Sequence, residues 1–218
     1  MKTSLLTLLA FAAALVLQCA ISRAEEAPAR EMLKLGVAMP TFALKDVVTG
    51  KEVSSKTLSE KKVKVVISMC RHCPYVVHVM DGLVKFGNDY ADKDVAVVGI
   101  SVNDPAAYPA DSPESLKEMA VEKKLPFPLL HDASQDVGLA FTFVATPEFF
   151  VFDEKNILRY RGQFDDSRPG SGRETPVTGK DVRAAVDALL ADEPVADVQK
   201  RAIGCSIKWK EGKRPTYQ

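Results

Sequence analysis

Residues 63–80, VKVVISMCRHCPYVVHVM, decide how the chain is read. The first six, VKVVIS, form a short β-branched run whose one charge is Lys64, the pattern of a strand covered on both faces. Pro74 then opens a helix, at a position where the missing N–H costs nothing. Val76, Val79, Met80, Leu83, Phe86 and Tyr90 recur at spacings of three and four, which gives that helix one apolar face. Cys70 and Cys73 stand between the two elements. Thiols at this spacing can be a redox couple, half of a metal site or a staple.

Downstream, 95–102 reads as a second buried strand. It is followed by a loop, 103–113, whose prolines and aspartates prevent regular structure. A helix is expected over 115–123, a short strand over 127–130, a short helix over 133–141 and a strand over 148–152. A turn at 153–156 leads into a strand at 157–160, closing a hairpin. After a Gly/Ser/Arg loop at 169–173 comes an amphipathic helix over 180–190. Upstream, the apolar residues of 41–44 and Val53 flank a turn at Thr49-Gly50-Lys51, an N-terminal β-hairpin. Strands alternating with helices predict an α/β fold, a central mixed β-sheet flanked by helices. In such sheets the reactive site lies at the carboxyl ends of the strands, which is where Cys70 and Cys73 fall.

The 29 basic residues balance the 29 acidic ones and form no long run, so no electrostatic footprint for nucleic acid exists. The N-terminus has Lys2, an apolar run over 5–17 and then Ser22-Arg23-Ala24, the pattern of a secretory signal cleaved near Ala24. The expected organisation is a signal peptide at 1–24, a mobile leader at 25–35, one domain at 36–192 and a C-terminal tail at 193–218 packing on it. A periplasmic or secreted location follows, with membrane contact only through lipidation at Cys19.

Chemistry narrows the reading of the thiols. A staple across three residues removes little chain entropy, about 2 kcal/mol before strain. A zinc site lacks its second pair of ligands. Disulfide exchange needs a thiolate, and Cys70, preceding a helix, is expected to receive that helix's free N–H groups and positive dipole end. His72 adds a donor or a positive charge beside it.

The segments VVISMCRHCP (65–74) and ATPEFFVFD (145–153) resemble the thioredoxin superfamily. Within it the chain is similar to the redoxin group of AhpC/TSA peroxiredoxins and TlpA-like thiol oxidoreductases, over roughly 36–190. YPADSPE (108–114), RGQFDD (161–166) and the tail AIGCSIKWK (202–210) resemble the bacterial CxHCP redoxins. The resemblance implies a thioredoxin-like fold and an exported thiol–disulfide oxidoreductase. Cys70 would be the nucleophile and Cys73 the resolving thiol. Arg71 and His72 would tune the pair, Pro74 would start the helix, and Thr146 and Pro147 would shape the substrate groove. No cofactor and no metal are implied. The partners would be protein or small-molecule disulfides and thiols, together with a redox partner.

Two alternatives stay open. Cys73-Pro74 matches the end of the peroxiredoxin motif, with Cys70 where that motif has Thr, so either cysteine could attack peroxide. A Sco-like copper site would pair thiolates with a distant imidazole, His131 or His78. Cys205 reads as a packed small hydrophobe, because a resolving role requires the tail to fold back over the site. Asp165 and Asp166 read as solvated or capping residues.

Overall fold

The computed structural model describes residues 31–170 and 175–217. The expected signal segment at 1–24 lies outside them, as do residues 171–173 of the Gly/Ser/Arg loop. The leading hairpin is β1 (Ala43–Lys45) and β2 (Glu52–Ser54), antiparallel, followed by the one-turn helix α1 (Ser55–Leu58). Ser54 caps α1 in a reciprocal box with Thr57. β3 (Val63–Ser68) carries the decisive stretch, and α2 (Pro74–Tyr90) follows it. β4 (Val95–Ser101), a short 3-10 turn (Pro109–Asp111), α3 (Pro113–Glu122), β5 (Leu129–His131) and α4 (Asp136–Ala140) continue the chain. β6 (Ala145–Thr146), β7 (Glu148–Phe152), β8 (Leu158–Gly162), α5 (Lys180–Leu190) and β9 (Cys205–Ser206) complete it.

Five strands form the central sheet in the order β5-β4-β3-β7-β8. β3, β4 and β5 run parallel, whereas β7 is antiparallel to β3 and β8 to β7. This is the mixed sheet expected from the sequence.

β3 is buried at every position, as its β-branched run requires. The period of two sends Val63, Val65 and Ile67 to one face, where Val76, Leu83 and Phe86 of α2 and Val182 and Val186 of α5 cover them. Val66 faces the other side with Val98, Ile100, Phe150 and Phe152, under Phe42, Phe141 and Phe143. Lys64 is buried too, because its ammonium reaches the carbonyls of Asp153 at 2.6 Å, Lys61 at 3.2 Å and Glu154 at 3.3 Å. Burial still lowers its pKa.

Several boundaries shift for local reasons. α3 starts at Pro113 rather than 115 because Ser112 caps it, accepting the Ser115 N–H at 3.2 Å, and Pro113 fits the first helical position. The short helix near 133–141 shrinks to α4 because Gln135 takes φ 66 and breaks the run. The 103–113 loop is not wholly irregular, since its prolines frame the 3-10 turn. Asp165 is not solvated: it is buried and accepts the N–H groups of Ser167, Thr178 and Gly179, which sets the entry to α5.

Phe141 is the hub of the second face, with ring centroids 6.0 Å from Phe42, 5.4 Å from Phe143, 5.8 Å from Phe150 and 6.1 Å from Phe152. Phe141→Ala is expected to cost about 3–5 kcal/mol. A urea titration measures it as a lowered midpoint at unchanged slope. A loss below about 1 kcal/mol would contradict this packing.

Candidate active site

α2 begins at Pro74, so the N–H groups of its first turn point toward the residues before it. Cys73 is the N-cap, at φ −71 and ψ 122, although its side chain makes no capping hydrogen bond. Cys70 lies two residues beyond the end of β3. The residue flanking the helix is thus Cys73, with Cys70 three positions before it.

The two thiols are free and fully buried. The Cys70 S–H donates to Cys73, which lowers the Cys73 pKa to about 4. The thiol of Cys205, the Thr146 side chain and the Val76 N–H add to the lowering, against the opposing effect of burial. The same hydrogen bond pushes Cys70 well above the ordinary thiol range, helped by burial and by the charge of Asp111.

Thr146 faces both sulfurs. Its hydroxyl lies 3.4 Å from Cys70 Sγ, and its carbonyl lies 3.1 Å from Cys73 Sγ, which donates to it when protonated. The Thr146–Pro147 peptide is cis, and the bend places β6 before it and β7 after it. Pro147 lines a shallow groove with Tyr75 and Val79 of α2 and Ile203 of the tail.

Asp111 fixes the loop that carries the thiols. Its buried carboxylate accepts the N–H groups of Arg71 at 2.8 Å and His72 at 3.2 Å on Oδ1. On Oδ2 it meets the Asn103 amide at 2.8 Å and His72 Nδ1. The His72 ring stacks on Tyr108 with centroids 4.7 Å apart. Arg71 sends only its main chain into the site. Its guanidinium turns to α3, donating to the Ser115 carbonyl and Glu118, both at 2.8 Å.

Cys70, Cys73, His72, Pro74, Thr146 and Pro147 thus come together as the sequence suggested, while the Arg71 side chain does not. Among the described residues, the clustered ligating atoms are those of Cys70, His72 and Asp111, within 4.8 Å of one another. His78 instead meets Ser167 Oγ at 2.6 Å, and His131 holds an unpartnered buried Nε2 at the end of β5. Among the described residues, neither joins that cluster of ligating atoms. Sequence reasoning missed Asp111, Asn103 and the placement of Cys205. The signal for Asp111 was available in YPADSPE, an acid held between two prolines.

Residues 35–161 match the AhpC/TSA family. The chain is similar to an uncharacterized conserved protein from Geobacillus kaustophilus, 47% identical, with a TM-score of 0.80 over 84% of this chain and 97% of that one. It is similar to a hypothetical protein from Sinorhizobium meliloti 1021 at 39% identity and a TM-score of 0.79, over 83% and 97% of the two chains. A thiol:disulfide interchange protein of the thioredoxin family from Chlorobium tepidum TLS shares the fold, at 20% identity and a TM-score of 0.54 over 75% and 99%. No curated protein matches the chain.

Removing the Cys70 donor tests the division of protons directly. Cys70→Ala is expected to raise the Cys73 midpoint from about 4 by roughly one pH unit or more, followed by the ultraviolet absorbance of the thiolate. An unmoved midpoint would show that Cys70 does not hold the thiolate.

Proposed function

The chain belongs to the AhpC/TSA family of thioredoxin-like redoxins, and from that premise we propose that it is a thiol–disulfide oxidoreductase in which Cys73 attacks and Cys70 resolves. The observation that carries this reading is the pair of buried free thiols, with Cys73 at the N-cap of α2 and Thr146 facing both sulfurs. The roles are the reverse of those expected from the sequence, because the helix end belongs to Cys73.

The Cys73 thiolate attacks one sulfur of a substrate disulfide, forming a mixed disulfide and expelling the other sulfur as a thiolate. Cys73 then no longer carries the charge that kept Cys70 protonated. The His72–Asp111 pair, with its ligating atoms within 4.8 Å of the Cys70 sulfur, takes the Cys70 proton. Cys70 attacks Cys73 Sγ, the second substrate sulfur leaves, and an internal disulfide remains. Two electrons have passed from protein to substrate. The reaction uses no cofactor. Its substrates are protein or small-molecule disulfides, and a redox partner resets the pair.

The N-terminal pattern at 1–24 supports export to a periplasmic or secreted location, an oxidising compartment where such chemistry belongs. Lipidation at Cys19 would be its route to a membrane.

One observation favours a second reading, peroxide reduction. The low-pKa thiolate is followed by Pro74 and is fully buried, so a small oxidant reaches it more readily than a folded protein does. Cys73 would attack hydrogen peroxide, giving a sulfenic acid and water, and Cys70 would condense with it to the disulfide, releasing a second water.

Reduced protein mixed separately with oxidised glutathione and with hydrogen peroxide distinguishes the two. The exchange reading expects oxidation by the disulfide to the Cys70–Cys73 bond in wild type, abolished in Cys73→Ser. It is refuted by inertness toward disulfides together with sulfenic acid formation far faster than that of a free thiol.

A further inference from the structure

Both thiols of the exchanging pair are fully buried, so the electrons they carry need a route to solvent. The tail supplies one. β9 pairs antiparallel with β6, and Cys205 stands directly opposite Thr146, the residue whose carbonyl and hydroxyl face the two buried sulfurs. Cys205 packs against the cluster that contains Cys70 and Cys73, yet it is partly exposed. Gly204 makes this approach possible: a Cβ there would lie 2.1 Å from the Thr146 carbonyl oxygen.

The tail is anchored on both sides of Cys205. Lys200 binds Asp166 at 2.6 Å, and its carbonyl accepts the Gln163 N–H at 3.1 Å. Beyond Cys205, the Lys208 N–H donates to Asn103 at 2.8 Å, and the Lys210 N–H to Gln135 at 2.9 Å. Asn103 also holds Asp111. One buried amide therefore ties the tail to the loop of the first two thiols.

We propose that Cys205 is a relay thiol, which takes the disulfide bond of Cys73 over from Cys70 and presents it to dithiol partners at the surface. This rests on the exchange reading. In the step, the Cys205 thiolate attacks Cys73 Sγ of the internal disulfide. A Cys73–Cys205 bond forms and the Cys70–Cys73 bond breaks. Cys70 leaves as a thiolate and takes up the proton that Cys205 gave up, so one disulfide replaces another with no net oxidation. An external dithiol then attacks the sulfur of Cys205, which is less buried than the other two thiols, and expels Cys73, whose low pKa makes it the best leaving group of the three. Its two electrons reset the protein. Burial and the Cys73 thiolate push the Cys205 thiol up to about 11 in the reduced state. The second cause disappears once Cys73 is in a disulfide, while burial, the larger one, remains.

The test treats wild type and Cys70→Ser with excess oxidised glutathione, alkylates them, and maps disulfides by mass spectrometry without reduction. The relay expects Cys73–Cys205 as the main product in Cys70→Ser, with no lasting glutathione on Cys73. A stable glutathione adduct on Cys73, or an unreacted Cys73 beside an alkylated Cys205, overturns it. Wild type separates the two failures. If wild type forms Cys70–Cys73 normally, only the relay falls; if wild type stays reduced, the exchange reading falls and the relay with it. Cys205→Ser guards against a misfolded first variant: the relay expects dithiothreitol to reduce its Cys70–Cys73 disulfide about tenfold or more slowly than that of wild type, a barrier difference of about 1.4 kcal/mol. Equal rates overturn it.

Discussion

Thr146 is the residue on which the site depends. Its hydroxyl faces one buried thiol, its carbonyl faces the other, and its main chain pairs with the strand that brings a third. A two-residue strand could not hold such a position alone. β7, which follows Pro147 directly, is buried at every residue and lies antiparallel to β3, so the loop is fixed to the same strand that delivers Cys70. The apolar sheet thus serves as the ruler of the site: the length of β3 places the thiols, and its register with β7 places Thr146 opposite them.

Electrostatics then sorts two chemically identical groups. In isolation both sulfurs would titrate near the ordinary thiol value. Side by side in a dry interior they cannot both ionise, so a single hydrogen bond decides between them. Proline at the first position of α2 makes Cys73 the cap, and the fixed charge of Asp111 disfavours ionisation at Cys70. Asp111 also anchors the loop through two main-chain N–H groups, so one carboxylate both shapes the turn and sets its polarity.

The parts legible in the sequence were those written locally. The β-branched run of 63–68, the apolar spacing of α2 and the Cys-x-x-Cys-Pro junction each carry their information within a few residues, and each appears in the fold. Thr146-Pro147 was legible by resemblance. The pairing of Asp111 with Arg71 spans 40 residues, and the contacts of Thr146 with the cysteines span 76 and 73, and no local pattern announces separations of that size. Cys205 reads from the sequence as a packed small hydrophobe, and it does pack against the cluster of Cys70 and Cys73, but its place opposite Thr146 is not written locally.

The central claim is that Cys70 and Cys73 form a working redox couple rather than a structural pair. The most direct measurement equilibrates the purified protein across glutathione redox buffers, traps thiols by alkylation and reads the Cys70–Cys73 disulfide fraction by mass spectrometry. The account predicts a reversible two-electron transition between about −270 and −120 mV, the range of catalytic dithiols. A disulfide that stays oxidised below about −300 mV would identify a structural bond and contradict it.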